Sequence, residues 1–423
     1  MDEFAAKTIL DNGVRIVTRN MPYSRSVSMG VWVNVGARDE SLMECGLSHF
    51  IEHMIFKGTR KRSAFQIAKE FDAIGGQTNA FTTMENTCYY ARVLDSRIET
   101  LVDILADIFV NSTFDPAEVD KERPVILQEI GMIEDSPEEY IHVLASRNYW
   151  GENPLGRSIL GPPENIVRFD AQTIKNFFRR LYQPDRIVIS AAGNIDHTRL
   201  VNLVSPVFET IPPGNGFPQR IKPPGASVVA LNQRNLEQMH ICLNTPGISI
   251  SDPRRFACSL LNTILGGNMS SRLFQEVRER RGLAYSVYSF VASHVDTGMF
   301  GFYLGVAPNR ARESVRLVLD EIQRIKQEAV DPAELMGAQE YTKGSLWLAS
   351  ESADNQMVRC AQNEIHFEND IALETIIENI EAVTADDVRS LAGALFDRNQ
   401  MALTLLGPAD DDQQGFEEIL YQN

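Results

Sequence analysis

GLSHFIEHMIFKGT, residues 46–59, carries two histidines four positions apart, His49 and His53, with Glu52 directly before the second. On an α-helix that spacing puts both imidazoles on one face, one turn apart. Leu47, Phe50, Ile51, Met54 and Ile55 mark an apolar face, so a helix is expected here. Ser48 falls near its N-cap and Gly58-Thr59 stops it. Catalytic zinc wants imidazole nitrogens from a rigid element, an anionic ligand and an open position for water. Two neutral histidines at i, i+4 supply half of that, and a carboxylate beside them can take a proton from water. A pair of helix histidines with a surface glutamate would read the same way. With only seven histidines in 423 residues, however, chance placement of this pattern is on the order of one in a hundred.

Two histidines do not hold catalytic zinc, so a third ligand is needed. KERPVILQEIGMIEDSPEEY, residues 121–140, offers Glu122, Glu129 and Glu134 in an amphipathic helix expected over 116–134. Glu122 and Glu129 are seven apart, two turns along one face, and either could point at the motif helix. Ile126, Ile130 and Ile133 mark a buried face near Glu129, where a carboxylate needs a partner.

The rest of the chain bounds the answer. Its length suits two to three domains, and 43 % hydrophobic residues is ordinary for a globular protein. No apolar run approaches the roughly 20 residues of a membrane span. The start, MDEFAAKTIL, lacks the pattern of a signal or transit peptide, so a cytoplasmic location is expected, bacterial or as a mature organellar form. A net charge of −17 argues against nucleic acid and anionic membranes as partners. The five cysteines, Cys45, Cys88, Cys242, Cys258 and Cys360, are widely spaced and read as reduced buried thiols.

In chain order, Asn12-Gly13 reads as a hairpin turn, 26–36 as a strand, 64–74 as a helix, and 75–94 as two strand-like runs around Met84-Glu85-Asn86. Helices are expected at 97–112, 138–149, 171–181 and 197–208, and a strand at 186–193. IPPGNGFPQRIKPPGAS, 211–227, is a proline-rich linker. Beyond it the plan recurs: QMHICLNTPG (238–247) matches VSMGVWVNVG (27–36), and QMALTLLGPA (400–409) matches RIVISAAGNI (186–195). An α+β fold follows, with two similar α/β domains from an internal duplication, each a mainly antiparallel sheet packed with helices. The expected division is a metal-binding domain at 1–210, a linker at 211–227 and a second domain at 228–423. In the second copy Cys258 and Asn262 fall near the places of His49 and His53, so it lacks the metal set. The remaining histidines, His142, His197, His240, His294 and His366, read as structural.

GLSHFIEHMIFKGT, ERPVILQEI (122–130) and SSRLFQEVRERRGLAYSVYS (270–289) together resemble the pitrilysin/insulinase family of inverzincin metallopeptidases. The resemblance is strongest to the subfamily of mitochondrial processing peptidase and its one-chain bacterial relatives. It implies a zinc endopeptidase with one Zn2+ per chain, acting on peptides or unfolded segments. The family's third ligand lies about 75 residues past the second histidine; Glu129 is 76 past His53, and Glu122 matches the family's accessory glutamate. The implied set is His49, His53 and Glu129 on zinc, Glu52 as general base and Glu122 behind the ligands. GGQTNAFTTMENTCYY (75–90) matches the family's substrate-edge strand, which implies a peptide backbone alongside Asn79, Ala80 and Thr82. Arg278 and Tyr285 match a substrate-side Arg/Tyr pair, with Arg280 and Arg281 crowding the same segment. Larger relatives carry four such domains, so this two-domain chain implies a homodimer around a peptide chamber. The rival expectation is a non-catalytic peptide-binding homologue that keeps the fold.

Overall fold

The computed structural model describes residues 5–214, 216–217, 219–408 and 413–421. Residues 1–4 of the N-terminal stretch and residues 215 and 218 of the linker lie outside the described residues. The first sheet holds β1 (Ala6–Ile9), β2 (Arg15–Asn20), β3 (Ser26–Val33), β4 (Gln77–Thr82), β5 (Thr87–Leu94) and β6 (Ile187–Gly193), in the order β1-β2-β6-β3-β5-β4. The second holds β7 (Val228–Gln233), β8 (Met239–Pro246), β9 (Ala284–Ser293), β10 (Gly298–Val306) and β11 (Ala402–Gly407), in the order β7-β11-β8-β10-β9. Laid side by side, β2-β6-β3-β5-β4 and β7-β11-β8-β10-β9 are one plan used twice. In each, the late strand inserts parallel to the first and antiparallel to the next: β6 between β2 and β3, β11 between β7 and β8. The duplication and the mainly antiparallel α+β class expected from the sequence are both present.

Local chemistry explains the elements. The hairpin joining β1 and β2 turns at Asn12-Gly13, where Gly13 adopts φ +100° and Asn12 Oδ1 accepts the Val14 N–H at 3.3 Å. β6, the apolar run IVISAAG, is buried on both faces, which is why it shows no alternation. The motif helix spans Leu47–Met54 and buries Leu47, Phe50, Ile51 and Met54 in the first core. Each such side chain contributes roughly 1.5–3 kcal/mol of burial. The helices at 171–181 and 197–208 appear with those bounds, Ala171–Leu181 and His197–Phe208.

The compact units are not the two halves of the sequence. One comprises Met1–Gly131, Ser158–Arg220 and Trp347–Ala372; the other Met132–Arg157, Ile221–Leu346 and Leu373–Asn423. The halves exchange a helix. Ala353–Phe367, from the second half, covers the first sheet with Met357, Cys360 and Ala361 against Val17, Trp32, Cys88 and Val188. Pro137–Trp150, from the first half, covers the second sheet with Ile141 and Ala145 against Cys242, Tyr303 and Leu406. A sheet with two apolar faces needs a cover on each. Packing thus draws each unit from both halves of the sequence. All five cysteines are buried, and none is in a disulfide among the described residues. No helix among the described residues is long and apolar enough to cross a membrane.

Candidate metal centre

The motif helix starts at Gly46, not at Ser48. Gly46 is the N-cap, with φ +102°, and a Cβ there would meet Leu160 O at 2.7 Å and Ile166 Cδ1 at 2.8 Å. Capping comes from outside the helix: Glu40 accepts the Gly46 N–H at 2.8 Å and the Ser48 N–H at 2.6 Å. A carboxylate there satisfies orphan donors and meets the positive end of the helix dipole. Burial pushes the Glu40 carboxyl up to about 8, against the pull of those two N–H groups. Ser48 is buried, and its side chain adds to the pull on the Glu40 carboxylate. Nothing local in the sequence marks Glu40 as the cap, because it sits in an irregular loop upstream.

Both histidines face the helix Pro116–Asp135. His49 Nε2 lies 3.6 Å and His53 Nε2 3.4 Å from Glu129 Oε2. His49, His53 and Glu129 each offer one ligand atom, all within 4.8 Å of one another. Donors bonded at roughly 2.0–2.1 Å to one tetrahedral ion stand about 3.4 Å apart, so the trio suits a single zinc ion. Burial, then the neighbouring His53, lowers His49 to about 4, so its imidazole is neutral and its nitrogens can act as ligands. Glu122, two turns from Glu129, is buried and reaches His53 Nδ1 at 2.8 Å. That contact assigns a proton to Nδ1 and turns the Nε2 lone pair toward Glu129. Burial would raise the Glu122 carboxyl, but Lys57 and His53 hold it below the ordinary range. Of the two glutamates that helix periodicity left open, Glu129, the one the family resemblance favoured, meets the Nε2 atoms and Glu122 the Nδ1.

Glu52 points to the same side. Its Oε2 accepts the Thr82 hydroxyl at 2.6 Å. Burial lifts its carboxyl above the ordinary value, against the Thr82 hydrogen bond and His53, with Glu129 adding to the rise. β4, which carries Asn79, Ala80 and Thr82, is the last strand of its sheet and pairs there only with β5. Asn79 is exposed, and its carboxamide accepts the Ala80 N–H at 2.8 Å. Thr82, expected on the strength of its backbone, thus also holds Glu52 by its side chain.

In the second unit, Arg278 lies on the π-helical segment Phe274–Arg280, a form enriched at functional sites. Its guanidinium sits 4.8 Å from both the Phe274 and Tyr285 rings. Tyr285, near the start of edge strand β9, is 79 % exposed. Arg280 and Arg281 are tied to Glu276 instead, at 3.0 and 2.8 Å. Sequence reasoning missed Phe274, whose spacing of four before Arg278 was the available signal. His197 bridges the Thr8 and Thr18 hydroxyls, and His142 and His240 meet Tyr288 and Tyr303, which are structural roles.

Comparison with known proteins places two family models on the chain: insulinase (peptidase family M16) over residues 15–163 and the peptidase M16 inactive domain over 168–341. An uncharacterized zinc protease of Streptomyces coelicolor is 40 % identical over 418 residues, 96 % of this chain and 90 % of that protein. One from Bacillus subtilis is 41 % identical over 398 residues, 94 % of this chain and 97 % of that protein. The crystal structure of a protease from Helicobacter pylori superposes with a TM-score of 0.90 at 20 % identity, covering 96 % of this chain and 99 % of that one, a likeness of fold.

Proposed function

From the premise that this chain belongs to the insulinase family of peptidases, M16, we propose that it is a zinc-dependent endopeptidase for peptides or unfolded polypeptide segments. One observation carries this: the Nε2 atoms of His49 and His53 meet Glu129 Oε2 at 3.6 and 3.4 Å, with Glu52 beside them. His49, His53 and Glu129 would hold the ion. When bound, zinc acidifies water and polarises a carbonyl.

The chain's own groups supply the rest. The open edge of β4 pairs with the peptide backbone and brings the scissile bond to Glu52. Glu52, oriented by the Thr82 hydroxyl, takes a proton from the attacking water as oxygen bonds to the carbonyl carbon. It returns that proton to the amide nitrogen as the C–N bond breaks. Burial above the ordinary carboxylate value makes Glu52 a stronger base for the first transfer. The Tyr285 hydroxyl and the Arg278 guanidinium are suited to stabilise the oxyanion.

The chamber is formed by a homodimer, in which each site takes Arg278 and Tyr285 from a second copy of the chain. The activity belongs in the cytoplasm, where five buried thiols stay reduced, and the charge of −17 disfavours nucleic acid and anionic membranes. The test is bound zinc measured together with chelator-sensitive cleavage of a quenched peptide; a zinc-free or inert wild-type chain refutes it. For the dimer, the inactive variants Glu52→Gln and Tyr285→Phe are mixed. Random exchange makes about half the dimers mixed, with one good site in two, so activity returns to about a quarter of wild type. Demonstrated exchange with no activity removes the shared site.

A further inference from the structure

Lys57 lies just past the motif helix, its N–H donating to Met54 O at 3.1 Å. Its ammonium reaches across to the helix Pro116–Asp135, where Nζ stands 2.5 Å from Glu122 Oε2. The other oxygen, Glu122 Oε1, is the one that meets His53 Nδ1 at 2.8 Å. Both oxygens of one buried carboxylate are therefore taken, one by a cation and one by the imidazole. The Glu122 side chain is only 7 % exposed, that of Lys57 31 %.

A buried carboxylate needs compensation, and a single neutral N–H is a weak one. Without the ammonium, Glu122 could rotate away. That rotation would loosen the His53 ring. A charge-assisted bond at Oε2 holds the carboxylate in place. Lys57 and His53 also share the segment that Glu122 braces, so one carboxylate ties both to the facing helix.

We infer that Lys57 is a positioning residue for the metal centre, pinning Glu122 so that Glu122 holds His53 with Nε2 turned to Glu129. This rests on the zinc reading above. The experiment measures zinc affinity of the full chain by competition with a chromophoric chelator, for wild type, Lys57→Met, Lys57→Arg, Glu122→Gln and the double variant Lys57→Met/Glu122→Gln. Lys57→Met should weaken zinc about tenfold, at the lower end for groups behind a ligand. Lys57→Arg, which keeps the charge, should recover affinity to within about threefold of wild type. Because Lys57 acts only through Glu122, the double variant should bind no more weakly than Glu122→Gln alone. Lys57→Met binding zinc like a zinc-competent wild type overturns the inference, as does multiplication of the two losses or an arginine no better than methionine. Absence of zinc binding by wild type overturns the zinc reading itself, so the two failures are distinguishable.

Discussion

In the first unit the helix after β3 is Leu47–Met54; in the second the helix after β8 is Arg255–Asn262. Each ties its sheet's edge strand by a hydroxyl. Thr82 of β4 donates to Glu52 at 2.6 Å, and Ser289 of β9 donates to Asn262 Oδ1 at 2.8 Å. The acceptor is a carboxylate beside two histidines in one case and a neutral amide in the other. Cys258, near the place of the first histidine, is buried, and burial pushes its thiol up to about 12, which leaves it protonated. The second helix also runs on into a π turn, Thr263–Gly267, while the first stops short of Gly58. The tie between helix and edge belongs to the fold. A few side chains decide whether it also carries chemistry.

The sharpest break of that comparison is Glu52→Gln against Asn262→Ala. The first should keep zinc and lose turnover by about 10²–10⁴-fold, as general bases do. The second should leave kcat within about twofold and cost about 1 kcal/mol of stability, the worth of a hydrogen bond. Initial rates, zinc content and melting curves decide; equal losses of turnover would mean both helices act in catalysis. Next comes zinc affinity. Glu129→Gln should weaken it by more than about 100-fold and Glu122→Gln by about 10–100-fold, because only Glu129 meets both Nε2 atoms. The reverse order, by chelator competition, would exchange their roles.

The smallest effect concerns the hydroxyls. Thr82→Val should lower kcat about tenfold at unchanged zinc content, because a hydrogen bond to a charged group is worth about 1.5–3 kcal/mol. Ser289→Ala should not lower kcat. A Thr82→Val enzyme with wild-type kcat would reduce the tie to architecture in both units.

The sequence by itself determined whatever depends on near neighbours or on periodicity. The motif helix, the hairpin at Asn12-Gly13, the helices 171–181 and 197–208 and the recurrence of the strand plan are of this kind. Each follows from side-chain period, turn chemistry or internal likeness, which a linear reading can count. It also narrowed the candidate third ligand to Glu122 or Glu129, since residues seven apart share a helix face. Periodicity left the two open and the family resemblance favoured Glu129; the tertiary structure sets Glu129 at Nε2 and Glu122 at Nδ1, a choice periodicity cannot make because one face still allows two turns of sliding against the motif helix. It also placed Glu40 on the N-terminus of that helix, Thr82 on Glu52 and Lys57 on Glu122, pairs that no periodicity links. The exchanged helices Pro137–Trp150 and Ala353–Phe367 belong with these. Their apolar stripes were legible, but a stripe states only that a face must be covered, and which sheet it covers depends on packing between segments far apart in the chain.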